Sequence, residues 1–207
     1  MPLINREIEQ GTPEWLAARI GRPTASNANR LITSTGAPSK QLQAFAEELA
    51  GDLFAGQAVN QWSGNCYTEY GHEMEEESRL AYEMETGHDV EQVAFIEDDL
   101  QRCLASPDGL VGDNGLVEIK NLPKKHVAAL IYYAKNGRIP TDYMAQLQMQ
   151  LYVSQREWVD MFYYSAMLPT LCVRIEPNLK MFGALKSQIT ACLTERDRIV
   201  RILESMK

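Results

Sequence analysis

The 207 residues are 45% hydrophobic, 23% charged and 8% aromatic, with no low-complexity tract and no recurring period. That composition excludes disordered, collagen-like and solenoid architectures, and the length suits one domain spanning residues 1–207. A formal charge of −8 argues against coating nucleic acid over a broad face, and the longest apolar run, 127–134, is too short to cross a bilayer. Cys66, Cys103, Cys172 and Cys192 lie singly, without C-x-x-C spacing. Neither a zinc ribbon nor an iron–sulfur cluster is therefore expected, and a reducing compartment fits. Met1–Glu7 lacks the apolar stretch of a signal peptide, so a cytoplasmic location is expected.

In chain order, Ser39 reads as the N-cap of a helix carrying Leu42, Phe45, Ala46, Leu49 and Leu53 at helical spacing, with Gly56 as its stop. A second helix is expected from about Tyr67 to Thr86, closed by Gly87. The period then changes. Val90–Ile96, Arg102–Ser106 and Leu116–Lys120 read as short strands, separated by turns at Glu97-Asp98-Asp99 and Gly112-Asp113-Asn114-Gly115. Lys125–Lys135 and Asp142–Val153 read as helices, and Trp158–Ser165 and Leu171–Ile175 as strands. A long closing helix follows Pro177, with Leu179, Phe182, Leu185, Ile189, Leu193, Val200 and Leu203 on one stripe. This order predicts an α/β (α+β) chain with a mixed central sheet flanked by helices.

Charge is unevenly distributed. Ile119–Thr141 has no acid and five bases, Lys120, Lys124, Lys125, Lys135 and Arg138; with the whole at −8 and this stretch at +5, the remainder carries −13. Glu73–Asp99 alone holds eleven acids against Arg79. Such a pattern is either a solvated acidic helix beside surface lysines, or a cationic strip beside an acidic metal site that steers a polyanion to one place.

The chemistry concentrates in Ser106-Pro107-Asp108-Gly109, the hairpin turn and Glu118-Ile119-Lys120. A two-residue turn at Asp113-Asn114 would set Asp108 opposite Ile119, beside Glu118 and Lys120, which share a strand face. Two converging carboxylates suit a hard dication such as Mg²⁺, and an adjacent ammonium could orient or deprotonate a water or neutralise developing charge. An ion pair would explain Glu118 and Lys120 without metal.

The Asp108…Glu118-x-Lys120 pattern resembles that of the PD-(D/E)xK nuclease superfamily. Surrounding blocks resemble more closely the lambda-exonuclease family: Glu9-Gln10-Gly11…Trp15…Arg19…Gly21…Thr24-Ala25-Ser26, Gly71-x-x-x-Glu75, Ser106-Pro107-Asp108-Gly109-Leu110 and Tyr143-Met144-Ala145-Gln146. They come in the family's order, over roughly residues 9–153. The resemblance implies a restriction-endonuclease-like core. It also implies Mg²⁺-dependent (or Mn²⁺-dependent) 5′-to-3′ digestion of one strand of linear duplex DNA, with two ions per site. Products would be 5′-mononucleotides and a 3′ single-stranded tail. A ring-shaped homotrimer, a phage single-strand annealing protein as partner, and a phage or prophage origin in a bacterial host are implied as well. By the same resemblance Asp108, Glu118 and the Ile119 carbonyl are metal ligands, and Lys120 is the catalytic lysine. Glu75 and Gln146 complete the site, while Arg19, Ser26 and Ser106 hold the 5′-terminal phosphate.

Periodicity narrows the acidic run. At about 100° per residue from Tyr67, Glu75 and Glu77 fall on the two borders of the inner arc formed by Tyr70, Met74, Ser78 and Ala81, and Glu76 points out. The resemblance selects Glu75. Gln146 shares a polar face with Gln150, and Gln148 with Tyr152 is a rival pair. His72, His88 and His126 have no ligand spacing. Trp15, Trp62 and Trp158 read as core or interface residues, and neither Thr68 nor the loop Thr33–Ser39 offers an obvious wedge for melting a duplex end. An endonuclease of the resolvase or restriction type and a non-catalytic DNA-end clamp are the competing readings.

Overall fold

The computed structural model describes residues 1–58 and 74–207. The chain starts with β1 (Leu3–Asn5) and α1 (Pro13–Arg19), where Pro13 occupies the first turn, in which a missing N–H costs nothing. The Thr12 hydroxyl caps α1 by accepting from the Trp15 N–H at 3.3 Å. A 3₁₀ turn (Ala25–Arg30) leads to α2 (Leu42–Ala55). Gly56 ends α2 at φ 67°, as its position predicts, but Ser39 is not the N-cap. That place is taken by Gln41, and the Ser39 hydroxyl accepts from the Gln41 N–H at 3.3 Å, two residues early.

Helix α3 (Glu75–Thr86) closes at Gly87. The expected first turns of that helix, with Gly71, lie outside the described residues, as do Cys66, Trp62, Thr68 and His72. Val90–Ile96 does not form one strand. It divides into β2 (Val90–Glu91) and β3 (Phe95–Glu97), which belong to different sheets. Between them the Val93 carbonyl accepts from the Gln10 side chain at 2.8 Å and the Ala94 N–H donates to Asn5 at 2.9 Å, so the N-terminal segment claims the backbone a continuous strand would need.

The strands β4 (Leu104–Ala105), β5 (Gly109–Val111) and β6 (Gly115–Lys120) follow, then α4 (Pro123–Asn136), a 3₁₀ turn (Thr141–Tyr143), α5 (Met144–Ser154), β7 (Trp158–Tyr163), β8 (Leu171–Ile175) and α6 (Leu179–Ser205). The single expected sheet is in fact two: β1-β3-β4, and β2-β5-β6-β7-β8. The larger sheet is mixed. Only its β6–β7 pair is parallel, joined by the crossover through α4 and α5, so the α/β class stands.

Helix α5 is the keystone. Ala145, Leu147, Gln148, Met149, Gln150, Leu151 and Val153 are all buried, because the helix packs against the 3₁₀ turn at 25–30, both sheets and α6. A helix buried all round shows no apolar stripe. Two buried glutamines on it are costly unless bonded. On α6 the inner stripe is Met181, Leu185, Ile189 and Cys192, with Phe182 and Leu193 at its edge. Leu179, expected on the stripe, is exposed because it opens the helix before the helix meets the core.

Candidate active site

The β5–β6 hairpin aims the carboxylates. Its turn has three residues, Gly112 to Asn114, with Gly112 at φ 52°, and pairs Val111 with Gly115 and Gly109 with Val117. The extra turn residue shifts the expected register by one, so that Asp108 falls level with Glu118 rather than Ile119. The Asp108 N–H donates to the Val117 carbonyl at 3.1 Å, and its carboxylate accepts from the Ile119 N–H at 2.5 Å. Glycine is required next to it. A Cβ on Gly109 would lie 2.1 Å from Val90 Cγ1 of β2. The Ile119 side chain packs with Tyr82, Val111, Val117 and Phe162, leaving Glu118 and Lys120 to the other face of β6.

Glu118 is buried and is the hub. Its Oε1 accepts from Lys120 Nζ and, at 2.6 Å, from Gln146 Nε2, while its Oε2 accepts from Gln150 Nε2 at 2.5 Å. Gln146 and Gln150 stand one turn apart on α5 and face the sheet together. Gln148 faces the other way, donating to the Glu176 carbonyl at 2.8 Å and accepting from the Asn178 N–H at 2.7 Å. It anchors the start of α6, which removes it as a rival.

Burial, together with the charge on Glu118, pushes the Asp108 carboxyl well above the usual aspartate range, against the pull of Lys120 and the Ile119 N–H. For Lys120 burial works the other way but is outweighed by Glu118 and Asp108, so the ammonium is held protonated. It also lies 5.1 Å from the centre of the Tyr143 ring.

Glu75 opens α3 and lines the same cleft as Asp108, about 620 Å³ in volume and bordered by Gln10, Arg79 and Val93. Burial of Ser78 and Tyr82 centres the inner face of α3 nearer Glu75 than Glu77. Glu77 is instead taken by the Tyr164 hydroxyl at 2.5 Å.

Arg19, Ser26 and Ser106 meet two residues upstream of Asp108. The guanidinium donates to Ser106 Oγ at 3.3 Å, Ser26 Oγ at 3.1 Å and Thr24 Oγ1 at 3.3 Å, and lies 4.0 Å from the Trp15 ring centre. Trp15 Nε1 donates in turn to Ser106 Oγ at 3.2 Å and to the Ala94 carbonyl at 3.0 Å. Burial pulls Arg19 down to about 10, still cationic at neutral pH. Among the described residues no acid pairs with it. A half-dehydrated guanidinium ringed by hydroxyls is built to receive an anion.

Thr24, Trp15, Gln10 and Gln150 were not among the expected site residues. Trp15 stands four residues before Arg19 and Gln150 four after Gln146, so helical spacing carried a signal for both. Gln10, which donates to the Val93 and Pro107 carbonyls at 2.8 and 3.1 Å, was marked only by its place in the Glu9-Gln10-Gly11 block. His126 is buried beside the Tyr163 ring and His88 lies near Trp158.

Among the described residues no three His, Cys, Asp or Glu side chains form a ready-made metal cluster. The donor set still fits a hard dication. Asp108 and Glu118 are neighbouring carboxylates, and a cation would offset the burial and the repulsion that raise the Asp108 carboxyl.

The fold is that of known exonucleases, which makes the chain a nuclease of that type. An alkaline exonuclease from Laribacter hongkongensis is 31% identical, with a TM-score of 0.81 over 94% of this chain and 97% of that one. The same enzyme in complex with dAMP gives 31% identity and a TM-score of 0.80. A phage-related exonuclease from Haemophilus somnus 129PT shares the fold at 16% identity, with a TM-score of 0.67 over 88% of this chain and 96% of that one. No curated protein matches. Residues 14–157 match the YqaJ-like viral recombinase domain, and the chain belongs to that lambda-exonuclease-like family.

Proposed function

We propose that the chain is a Mg²⁺-dependent exonuclease that digests one strand of linear duplex DNA from its 5′ end. It releases 5′-mononucleotides and leaves a 3′ single-stranded tail for annealing. The observation that carries this reading is the adjacency of the Arg19–Thr24–Ser26–Ser106 nest to Asp108, two residues of extended chain from Ser106, or roughly 7 Å. A terminal phosphate held there fixes which phosphodiester meets the carboxylates, and that is how an end-dependent enzyme counts one nucleotide.

Asp108, Glu118 and the Ile119 carbonyl are the ligands for Mg²⁺ or Mn²⁺, with Glu75 at the rim suited to a second ion. The metal supplies Lewis acidity and an acidified water. Lys120, kept cationic by Glu118 and Asp108, is suited to neutralise negative charge on the phosphate rather than to remove a proton. Gln146 holds Glu118 Oε1. The enzyme works as a ring-shaped homotrimer in a bacterial cytoplasm and passes the tail to a phage single-strand annealing protein. The L. hongkongensis relative binds dAMP, a 5′-mononucleotide such as this reaction releases.

The test uses one duplex as 5′-phosphorylated linear, 5′-hydroxyl linear and closed circular DNA, each with Mg²⁺ or EDTA. Mononucleotide release from linear DNA alone, about 10–100-fold faster with the 5′-phosphate and abolished by EDTA, is expected. Cutting of the circle would make the protein an endonuclease, and binding without release would make it an end clamp.

A further inference from the structure

Glu118 is gripped by one more residue than the site described so far requires. Gln150 is fully buried on α5 and is the partner of Glu118 Oε2, at 2.5 Å, whereas Lys120 and Gln146 crowd onto Oε1. The other end of the same carboxamide, Gln150 Oε1, is buried and has no hydrogen-bond partner among the described residues. Packing does not ask for a glutamine here. Met149 and Leu151, on either side of it in α5, are buried with apolar side chains. A buried carboxamide left half-satisfied is tolerated where its other half does something.

We infer that Gln150 is a positioning residue that sets the divalent-metal affinity of Glu118. Its Nε2 fixes the plane of the carboxylate and stops Oε2 from rotating toward Lys120. Among the described residues Oε1 has two donors and Oε2 one, so Oε2 is the oxygen with room for a cation. The unpartnered Gln150 Oε1, on the same carboxamide, suits a hydrogen of the hydration water that Mg²⁺ keeps. This inference rests on the metal-nuclease reading above and deepens it.

The test is Mn²⁺ binding to the full chain without DNA, followed by electron paramagnetic resonance, with Mg²⁺ as competitor. Wild type, Glu118→Ala, Gln150→Met and Gln150→Asn are compared, each with its melting temperature. Wild type should bind and Glu118→Ala should lose that binding. Gln150→Met, which keeps the volume without the donor, should weaken Mn²⁺ about tenfold. Gln150→Asn, which keeps the polarity without the reach, should do the same, so the inference stays testable if one variant fails to fold. Cleavage by either should need correspondingly more Mg²⁺ for half-maximal rate. Gln150 variants that bind Mn²⁺ as wild type does, whatever their melting temperatures, would overturn the inference and leave the nuclease reading intact. A wild type without Glu118-dependent Mn²⁺ binding would overturn the nuclease reading itself.

Discussion

Asp108 and Lys120 share a neighbour, Glu118, whose charge raises both. The Asp108 carboxyl is raised by burial first and by Glu118 second. A folded-state value above the unfolded one means that the folded protein holds more protons between the two. Its contribution is then complete below the ordinary aspartate value of about 4 and is lost as pH rises through the raised value. In EDTA the melting temperature should therefore fall from about pH 4 to about pH 8, and Asp108→Asn should flatten that slope. Equal slopes in the two proteins would place the cause elsewhere. Lys120→Ala should lower kcat by about 10²–10³ with DNA affinity nearly unchanged, because the ammonium serves charge that develops during reaction. A variant that cuts at the normal rate would remove Lys120 from the mechanism. Arg19→Ala should slow digestion of 5′-phosphorylated ends by about 10–100-fold, to the rate of 5′-hydroxyl ends, as expected when charged hydrogen bonds to one phosphate are lost. Comparing the two substrates in one assay checks it.

Among the elements, the β5–β6 hairpin and α5 decide where these residues stand. Gly109→Ala would force a methyl group into Val90 of β2, so the strand must shift just after Asp108. Activity should fall more steeply than stability, which parallel melting curves and rate measurements separate. Behind the sheet, buried Asp160 accepts from Tyr82 at 2.9 Å and from Arg174 at 2.9 and 2.8 Å, and Arg174 stacks 3.5 Å from the Trp158 ring centre. Arg174→Met leaves that carboxylate buried with one donor and should cost about 3 kcal/mol in denaturant unfolding. Helix positions were readable wherever a terminator marked them, as at Gly56 and Gly87, whose left-handed conformations suit glycine. The split of 90–96 into two strands was not, because it depends on bonds to Asn5 and Gln10, more than eighty residues away.

For the whole molecule, the uneven charge acquires a geometry. Lys124, Lys125, Lys135 and Arg138 are exposed on α4 and just beyond it, directly after the strand that ends in Lys120, while Glu75 and Glu76 line the carboxylate cleft. Among the described residues no helix is long and apolar enough to cross a membrane. The 23.4 kDa chain should sediment at about three times its mass if a ring encloses the DNA, and a monomer would leave no topological basis for processive digestion.

The sequence by itself determined the α/β class, the family blocks and the nearness of Asp108, Glu118 and Lys120. These follow from local propensity and from a hairpin that keeps its partners within a dozen residues. Only the tertiary structure decided the one-residue register of that hairpin, the division into two sheets and the choice between Gln146 and Gln148. It alone drew Thr24 and Trp15 around Arg19 and Gln150 onto Glu118. The physical reason is that α5 is buried on every side, which erases the periodicity that orients a helix. Which way its glutamines face is then settled by the carboxylate and backbone groups they must satisfy, and those groups arrive from distant parts of the chain.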